Sequence, residues 1–287
     1  MSIPELRAEY HSRVCANIIR VNRARDEGGY PNFADGSNRA SSNIAWNLLD
    51  KLKCSAIFGG ISGQTAGDLF ESETKDFLEA AFGLLRHLRP GRWMYTTERT
   101  AISGFEQYAH LARLAELIDQ NSELASALGG DYIVEPDIVI GRFAVSDDEI
   151  NANEQIINSE SSIAQFTPLR LSNRATQQPS LHASISCKWT IRSDRSQNTR
   201  TEALNLIRNR KGHIPHIVAV TAEPLPSRLA ALALGTGDLD CVYHFALQEL
   251  TESIAEIENE DQMEMLNMLV QGQRLRDISD LPFDLAI

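Results

Sequence analysis

The 287-residue sequence lacks the features that mark a membrane protein or a structural zinc protein. No window approaches the roughly 18 apolar residues of a transmembrane helix, and the N-terminal stretch MSIPELRAEYHSRV contains no apolar run like that of a signal peptide. Four cysteines are present, far apart and without a CxxC pair, which argues against a zinc site. We therefore predict a cytoplasmic protein with reduced cysteines and no membrane partner. The cysteines are Cys15, Cys54, Cys187 and Cys241.

Basic residues are also scarce, and the formal net charge of −12 argues at first against a polyanionic partner. The charges are nevertheless segregated along the chain. Residues 188–211 contain seven bases and two acids, whereas residues 249–264 contain seven acids and no base. A chain of this kind can present a basic cleft on an acidic body, although the acidic segment is most simply a solvated helix face.

The sequence shows no repeat, no low-complexity tract and no linker, so we predict one domain over residues 1–287. Helical and strand patterns alternate, which predicts an α/β fold with a central mixed sheet flanked by helices. The predicted helices cover residues 3–25, 39–53, 64–87, 101–119, 197–209, 244–257 and 261–272. The predicted strands cover residues 131–134, 137–142, 181–191 and 214–222.

Two charged residues lie on neighbouring predicted strands. Asp137 follows Pro136 at the start of the strand in VEPDIVIGR, and Lys188 lies on the polar face of the strand 181–191, together with Ser186. If the two strands pair, the carboxylate and the ammonium meet at one end of the sheet. Such a pair can hold a divalent cation and a water side by side, because magnesium favours carboxylate and phosphate oxygens. Taken singly, Asp137 is a common turn residue and Lys188 a common strand-edge residue.

Many metal nucleases carry an acid two residues before the catalytic lysine, but this chain has Ser186 there, which cannot supply the charge. Two acids are candidates to replace it. Glu202 lies near the start of the next predicted helix, on one face with Leu206. Glu71 shares an apolar helical stripe with Leu78, where an acid is either paired or functional.

These residues resemble the CCGG-recognising PD-(D/E)xK restriction endonucleases, and among them the NgoMIV-like enzymes, in which the second acid lies on the following helix. The resemblance is carried by PD at 136–137, SCK at 186–188 and Glu202, and it extends through blocks such as ADGSN, GQTAG and LNLIRNRKG. It is weakest at the N-terminus, around 92–104 and around 150–180. It implies a restriction-endonuclease-like fold, a bacterial source and a homotetramer, a dimer of dimers, that acts on two DNA sites together.

The resemblance also implies roles for the candidate site residues. Asp137 and Glu202 would bind Mg²⁺ through their carboxylates and Cys187 through its backbone carbonyl. Lys188 would be the catalytic lysine, Glu71 an additional acid, and Ser186 part of the same site.

A second group of residues is suited to reading DNA. Arg192, Asp194 and Arg195 directly follow the Lys188 strand. Arginine bonds bidentately to guanine and aspartate accepts from the cytosine amino group, so RSDR suits adjacent G·C pairs in the major groove. A surface ion cluster is the plainer interpretation of RSDR by itself. The resemblance implies that RSDR reads the CCGG core.

The resemblance further implies that Asp35 and Arg228 read an outer G·C pair and that Gln64 approaches from the minor groove, which together predict the palindrome GCCGGC. The predicted function is that of a type II restriction endonuclease: Mg²⁺-dependent hydrolysis of double-stranded DNA at G/CCGGC, which leaves a 5′-phosphate and four-base 5′ overhangs. Two alternatives stay open. One is a sequence-specific DNA-binding protein on the same fold without catalysis, and the other is a less specific nuclease.

Overall fold

The fold was analysed in a computed structural model. It describes residues 1–22, 29–98, 102–121, 134–158, 160–171, 178–191, 193–235 and 237–287, and of residues 193–196 the backbone alone. Within these ranges no helix combines the length and apolar character needed to cross a membrane.

Among the described residues, six strands form one mixed sheet. Strand β4 is antiparallel to both of its neighbours, β3 and β5, and the pairs from β5 to β8 are parallel, so β4 alone of the six strands points against the others. In sheet order the strands are β3 (Trp93–Thr96), β4 (Ile138–Arg142), β5 (Ser180–Lys188), β6 (His216–Thr221), β7 (Cys241–His244) and β8 (Leu275–Asp277). The short strands β1 (Val21–Asn22) and β2 (Tyr30–Pro31) form a separate antiparallel pair.

Helices flank the sheet and bury apolar stripes against it. The longest, α3, contacts β5, β3 and α1, and its buried side chains recur at helical spacing, as Phe70, Phe77 and Phe82 show. The helices described are α1 (Ile3–Asn17), α2 (Arg39–Lys51), α3 (Gly63–Leu84), α4 (Ala109–Asp119), α5 (Asp147–Ile150), α6 (Ser193–Asn209), α7 (Pro226–Ala233), α8 (Leu247–Glu256), α9 (Glu260–Gln271) and α10 (Leu281–Asp284).

The predicted α/β architecture with a mixed, helix-flanked sheet is confirmed. One cluster of buried hydrophobic residues extends from Leu6 to Leu285, and one domain over residues 1–287 stays a prediction. The IPHIVAVTA segment is a buried central strand, as its apolar run predicts. The strand predicted at 131–134 lies outside the described residues except for Val134.

Several predicted boundaries were wrong. Helix α1 ends at Asn17 rather than at residue 25, because Val21 pairs with Pro31 and bridges to Phe58. Helix α6 begins at Ser193, four residues earlier than predicted. Strand β5 is buried on both faces. His182 on its polar side is buried and its ring nitrogen bonds to the carbonyl oxygen of Leu285 at 2.8 Å, because the C-terminal segment covers it.

The cysteine expectation is corrected for one pair. Cys15 on α1 and Cys54 after α2 form a disulfide, with their Cα atoms 5.3 Å apart. Cys187 and Cys241 are free and buried, as expected. The paired cysteines lie 39 positions apart in the sequence, and the pairing could not be predicted because it depends on how α1 and the end of α2 meet.

Candidate active site and DNA-reading elements

The strand topology brings Asp137 and Lys188 to the same edge of the sheet. Strand β4 is antiparallel to β5, with Ile138 opposite Ile185, so the entrance of β4 lies beside the exit of β5. Asp137 is the residue just before β4, and Lys188 is the last residue of β5. The sequence expectation that these two residues meet is therefore confirmed.

One carboxylate oxygen organises this edge. Oδ2 of Asp137 accepts hydrogen bonds from Nζ of Lys188 at 2.8 Å, from the backbone N–H of Cys187 at 2.7 Å and from Oγ of Ser186 at 3.3 Å. The bond from Cys187 continues the β4–β5 ladder past its last backbone pair, so the side chain of Asp137 is fixed by the strand itself. Ser186 also lies 3.4 Å from Oγ1 of Thr199 on α6.

The charge of Asp137 sets the state of the lysine. Burial alone lowers the pKa of the Lys188 ammonium, but the charge of Asp137 and its hydrogen bond more than offset burial, so the pKa lies above its usual value. Lys188 is therefore protonated at neutral pH in the free protein.

Glu202 and Glu71 face the same edge from two helices. Burial and the neighbouring charge of Asp137 raise the pKa of Glu202 on α6, against the opposing effect of Lys188. The charge of Glu71 on α3 acts on the buried Cys187 thiol, whose pKa lies well above its usual value mainly because of burial. Glu202 is thus within electrostatic reach of Asp137 and Lys188, and Glu71 is within electrostatic reach of Cys187, the residue before Lys188.

The donor set fits Mg²⁺. Within the described ranges no three His, Cys, Asp or Glu side chains are close enough to hold a metal ion by themselves. Magnesium does not need such a cage, because one or two carboxylates together with water and substrate phosphates usually hold it. Asp137 and Glu202 supply hard oxygens, and a bound cation would stabilise the charged form of Glu202, whose pKa is raised mainly by burial.

Two candidate base readers meet in the structure. Arg228 on α7 forms a hydrogen-bonded ion pair with Asp35, which precedes α2. The backbone N–H and the hydroxyl of Ser37 bond to Oδ1 of Asp35, and these bonds, together with Arg228, lower the pKa of Asp35. Gln64 is exposed in the first turn of α3, whose N-cap is Ser62.

The inner readers are only partly described. Arg192 lies outside the described residues, and of Asp194 and Arg195 the backbone alone is described, in the first turn of α6. Their position in the chain still ties them to the site, because Trp189, Thr190 and Ile191 separate Arg192 from Lys188.

Buried aromatic packing fixes this connection. Trp189 is 4% exposed and contacts Phe33 and Phe70 edge-on, with ring centroids 5.7 and 5.2 Å apart. Phe33 lies two residues before Asp35, and Phe70 immediately precedes Glu71. One aromatic cluster therefore anchors the segment that carries Asp35, the helix that carries Glu71 and the connection to Arg192.

The sequence interpretation missed two polar residues of this region, Thr199 and Glu223. Thr199 is 2% exposed and faces Ser186, and Glu223 is fully buried behind the reading elements. Helical spacing could have pointed to Thr199, since it lies three residues before Glu202. Glu223 ends the apolar run HIVAVTAE, where burial is expected and a carboxylate is not.

Comparison with known proteins identifies the chain. Residues 10–287 match the family described as NgoMIV restriction enzyme. The chain belongs to this family of type II restriction endonucleases. It is 47% identical over 283 residues to the type II restriction enzyme NgoMIV of Neisseria gonorrhoeae, and the match covers 97% of this chain and 96% of that enzyme. The resemblance drawn from the sequence is confirmed, and the NgoMIV-family chain is a DNA-hydrolysing restriction endonuclease.

Two solved restriction endonucleases are more distant likenesses. The type IIF enzyme Bse634I with cognate DNA matches with a TM-score of 0.36 and 15% identity, covering 79% of this chain and 87% of that one. The PspGI–substrate DNA complex matches with a TM-score of 0.25 and 13% identity, covering 99% of this chain and 92% of that one. The restriction-endonuclease-like fold of the NgoMIV-family chain follows from its family and its sheet topology.

Proposed function

We propose that this endonuclease hydrolyses double-stranded DNA at G/CCGGC with Mg²⁺ and leaves a 5′-phosphate and four-base 5′ overhangs. The observation that carries the proposal is the Asp137–Lys188 pair at the sheet edge, with Glu202 in reach and candidate base readers directly behind it. Glu71, Ser186 and Cys187 complete the proposed site.

When bound, Mg²⁺ supplies polarisation of the scissile phosphate and a lower pKa for the attacking water. Asp137, Glu202 and the carbonyl oxygen of Cys187 would hold it. Because Lys188 is a cation in the free protein, its role is to orient the water and to stabilise the negative charge that develops on the phosphate. Ser186 donates a hydrogen bond to Asp137, and Thr199 contacts Ser186 in turn, so these two neutral side chains help to keep Asp137 in place.

For recognition we propose a division between core and outer base pairs. Arg192, Asp194 and Arg195 read the CCGG core, because only three residues of chain separate the first of them from Lys188 at the end of the proposed catalytic strand. Asp35 and Arg228 read the outer G·C pair, and Gln64 approaches from the minor groove. The Asp35–Arg228 pair supports this assignment, since it joins a carboxylate suited to cytosine and a guanidinium suited to guanine.

A plasmid digestion tests the function. Purified protein is incubated with a plasmid that carries two GCCGGC sites and with one that carries CCGG only in other flanking sequences, with and without Mg²⁺. We expect discrete fragments from the first plasmid alone, and only with Mg²⁺, since the outer readers reject other flanks.

Each other outcome favours a named alternative. Cutting of both plasmids keeps the nuclease and contradicts the roles of Asp35 and Arg228. Site-specific binding without cutting indicates the non-catalytic DNA-binding protein. Random degradation of both plasmids indicates the less specific nuclease.

We also propose a homotetramer that acts on two sites in the bacterial cytoplasm, as the family resemblance implies. The segment 156–169 carries apolar side chains in solvent, and Phe166 is 98% exposed, Ile163 74% and Ile156 64%. Arg170 holds this segment, because it bonds to both carboxylate oxygens of Asp147 and to the carbonyl of Ala164. An exposed apolar group of this kind is typical of an interaction surface.

We expect Phe166→Asp to lower the molar mass measured by light scattering from that of a tetramer to that of a dimer. We also expect it to remove the faster cutting of a two-site plasmid relative to a one-site plasmid. Leu88→Asp is the matched control, since Leu88 is also an exposed apolar residue, at 57%, but lies outside the segment. An unchanged molar mass for Phe166→Asp would contradict the assignment of the segment.

A further inference from the structure

A buried carboxyl group that catalysis does not use lies beneath the reading elements. Glu223 follows β6 by two residues and has no exposed surface. Glutamate is seldom fully buried unless it is paired, because the loss of hydration must be offset by specific partners. The partners of Glu223 therefore indicate why a carboxylate is placed there.

The two oxygens of Glu223 bind different parts of the chain. Oε2 accepts the backbone N–H of Ile191 at 2.9 Å, and Oε1 accepts the backbone N–H of Leu225 at 3.3 Å. Nη1 of Arg228 lies 3.9 Å from Oε2. The backbone N–H of Glu223 donates to Oγ1 of Thr221 at 3.1 Å, which fixes the residue to the end of β6.

Each of these partners adjoins a candidate base reader. Ile191 immediately precedes Arg192, the first residue of the core-reading RSDR segment. Leu225 is the N-cap residue of α7, whose first turn carries Arg228, and Arg228 pairs with Asp35. One carboxyl group thus contacts the segment that leads to the core readers and the helix that carries an outer reader.

Ionisable side chains from three elements surround Glu223. Burial raises the pKa of Glu223 to about 7, against the hydrogen bond from Ile191 and the charge of Arg228, and Asp35 adds to the rise. On the β7 side, burial lowers the pKa of His244 to about 4, so this ring is neutral near pH 7. Asp35, whose pKa is lowered, stays ionised, and the guanidinium of Arg228 stays positive.

We propose that Glu223 is a positioning residue that sets the distance between the core readers and the outer readers, and so determines discrimination at the outer base pair. The inference rests on the proposed function. A carboxylate is required because both of its oxygens accept, whereas the amide of glutamine has one acceptor and would turn a donor toward a backbone N–H. The substitution Glu223→Gln therefore releases one of the two segments without a change in side-chain size.

The test compares wild type and Glu223→Gln on two duplexes that share the CCGG core, one with an outer G·C pair and one with an outer A·T pair. The measured quantity is the ratio of the two kcat/KM values with Mg²⁺. We expect Glu223→Gln to lower this ratio at least about tenfold. Glu249→Gln is the matched control, because Glu249 is a half-buried carboxylate that binds Arg7, away from the readers, and its ratio should equal that of wild type.

An unchanged ratio in Glu223→Gln, or an equal loss on both duplexes, would show a merely structural role and overturn the proposal.

If Glu223→Gln does not fold, the wild type gives a second measurement. Its ratio should fall as pH drops from about 8.5 to about 6, because protonated Glu223 has lost its charge and one acceptor, and a constant ratio would overturn the proposal. A wild type that cuts neither duplex, or both equally, overturns the proposed function itself, which separates the two failures.

Discussion

Lys188→Ala is expected to slow cleavage of a GCCGGC duplex by about 10²–10⁴-fold, the range typical of a removed proton-transfer or charge-stabilising group. Binding of the duplex without metal ions should be unchanged. The reason is that Asp137 holds Lys188 in the proposed active site, whereas the proposed base readers lie on other elements. The fold should persist, because Asp137 keeps its bonds from Cys187 and Ser186.

Single-turnover cleavage and metal-free equilibrium binding check this result. Lys51→Ala is the control, since Lys51 forms a surface ion pair with Glu256 and should cleave at the wild-type rate. If Lys188→Ala cleaved at the wild-type rate, the assignment of the site would be wrong. If Lys188→Ala lost both cleavage and site-specific binding, Lys188 would act in recognition rather than in catalysis.

Asp137→Asn should reduce cleavage at least about 10²-fold, and additional Mg²⁺ should not restore it. The substitution removes an anionic metal ligand and the partner that keeps the pKa of Lys188 high. Burial then dominates, so the pKa of Lys188 falls in the folded protein. Folding becomes less favourable near neutral pH and recovers as pH rises, because the unfolded chain binds the lysine proton more tightly.

Thermal unfolding in metal-free buffer between about pH 7 and about pH 10.5 measures this second effect, because the effect ends at the pKa of lysine in the unfolded chain. The unfolding temperature of Asp137→Asn should rise across this range relative to that of wild type. Asp240→Asn serves as the control, because Asp240 also accepts a backbone N–H beside a strand, from Ile217 at 2.9 Å, but contacts no proposed site residue. Wild-type cleavage by Asp137→Asn would refute the proposed ligand set.

The central strands and the catalytic pair could be predicted from the sequence because local patterns determine them. Nine residues of β5 and six of β6 are long enough for their patterns to be recognised. The strands β7 and β8, of four and three residues, were missed because such short runs carry no clear period. The early start of α6 was missed because polar RSDR gives no helical stripe.

The supporting contacts could not be predicted, because they join distant segments. Glu223 bonds to Ile191 across 32 residues, Arg228 meets Asp35 across 193, and Cys15 meets Cys54 across 39. Each contact depends on how helices and strand ends pack, which residue spacing does not encode. Family resemblance proposed Asp35 and Arg228 as partners in reading, but their direct contact is known only from the structure.

The buried connection Trp189–Ile191 sets the spacing between Lys188 of the proposed active site and the proposed base readers that begin at Arg192. Its tryptophan packs between Phe33 and Phe70, and the backbone N–H of Ile191 bonds to Glu223. An insertion or deletion there would move the recognised bases relative to the bond that is cut. Altered specificity should therefore arise by exchange of side chains on α6 and α7, without a change in the position of the cut. A reading helix that is grafted onto another enzyme would have to be transferred together with this connection.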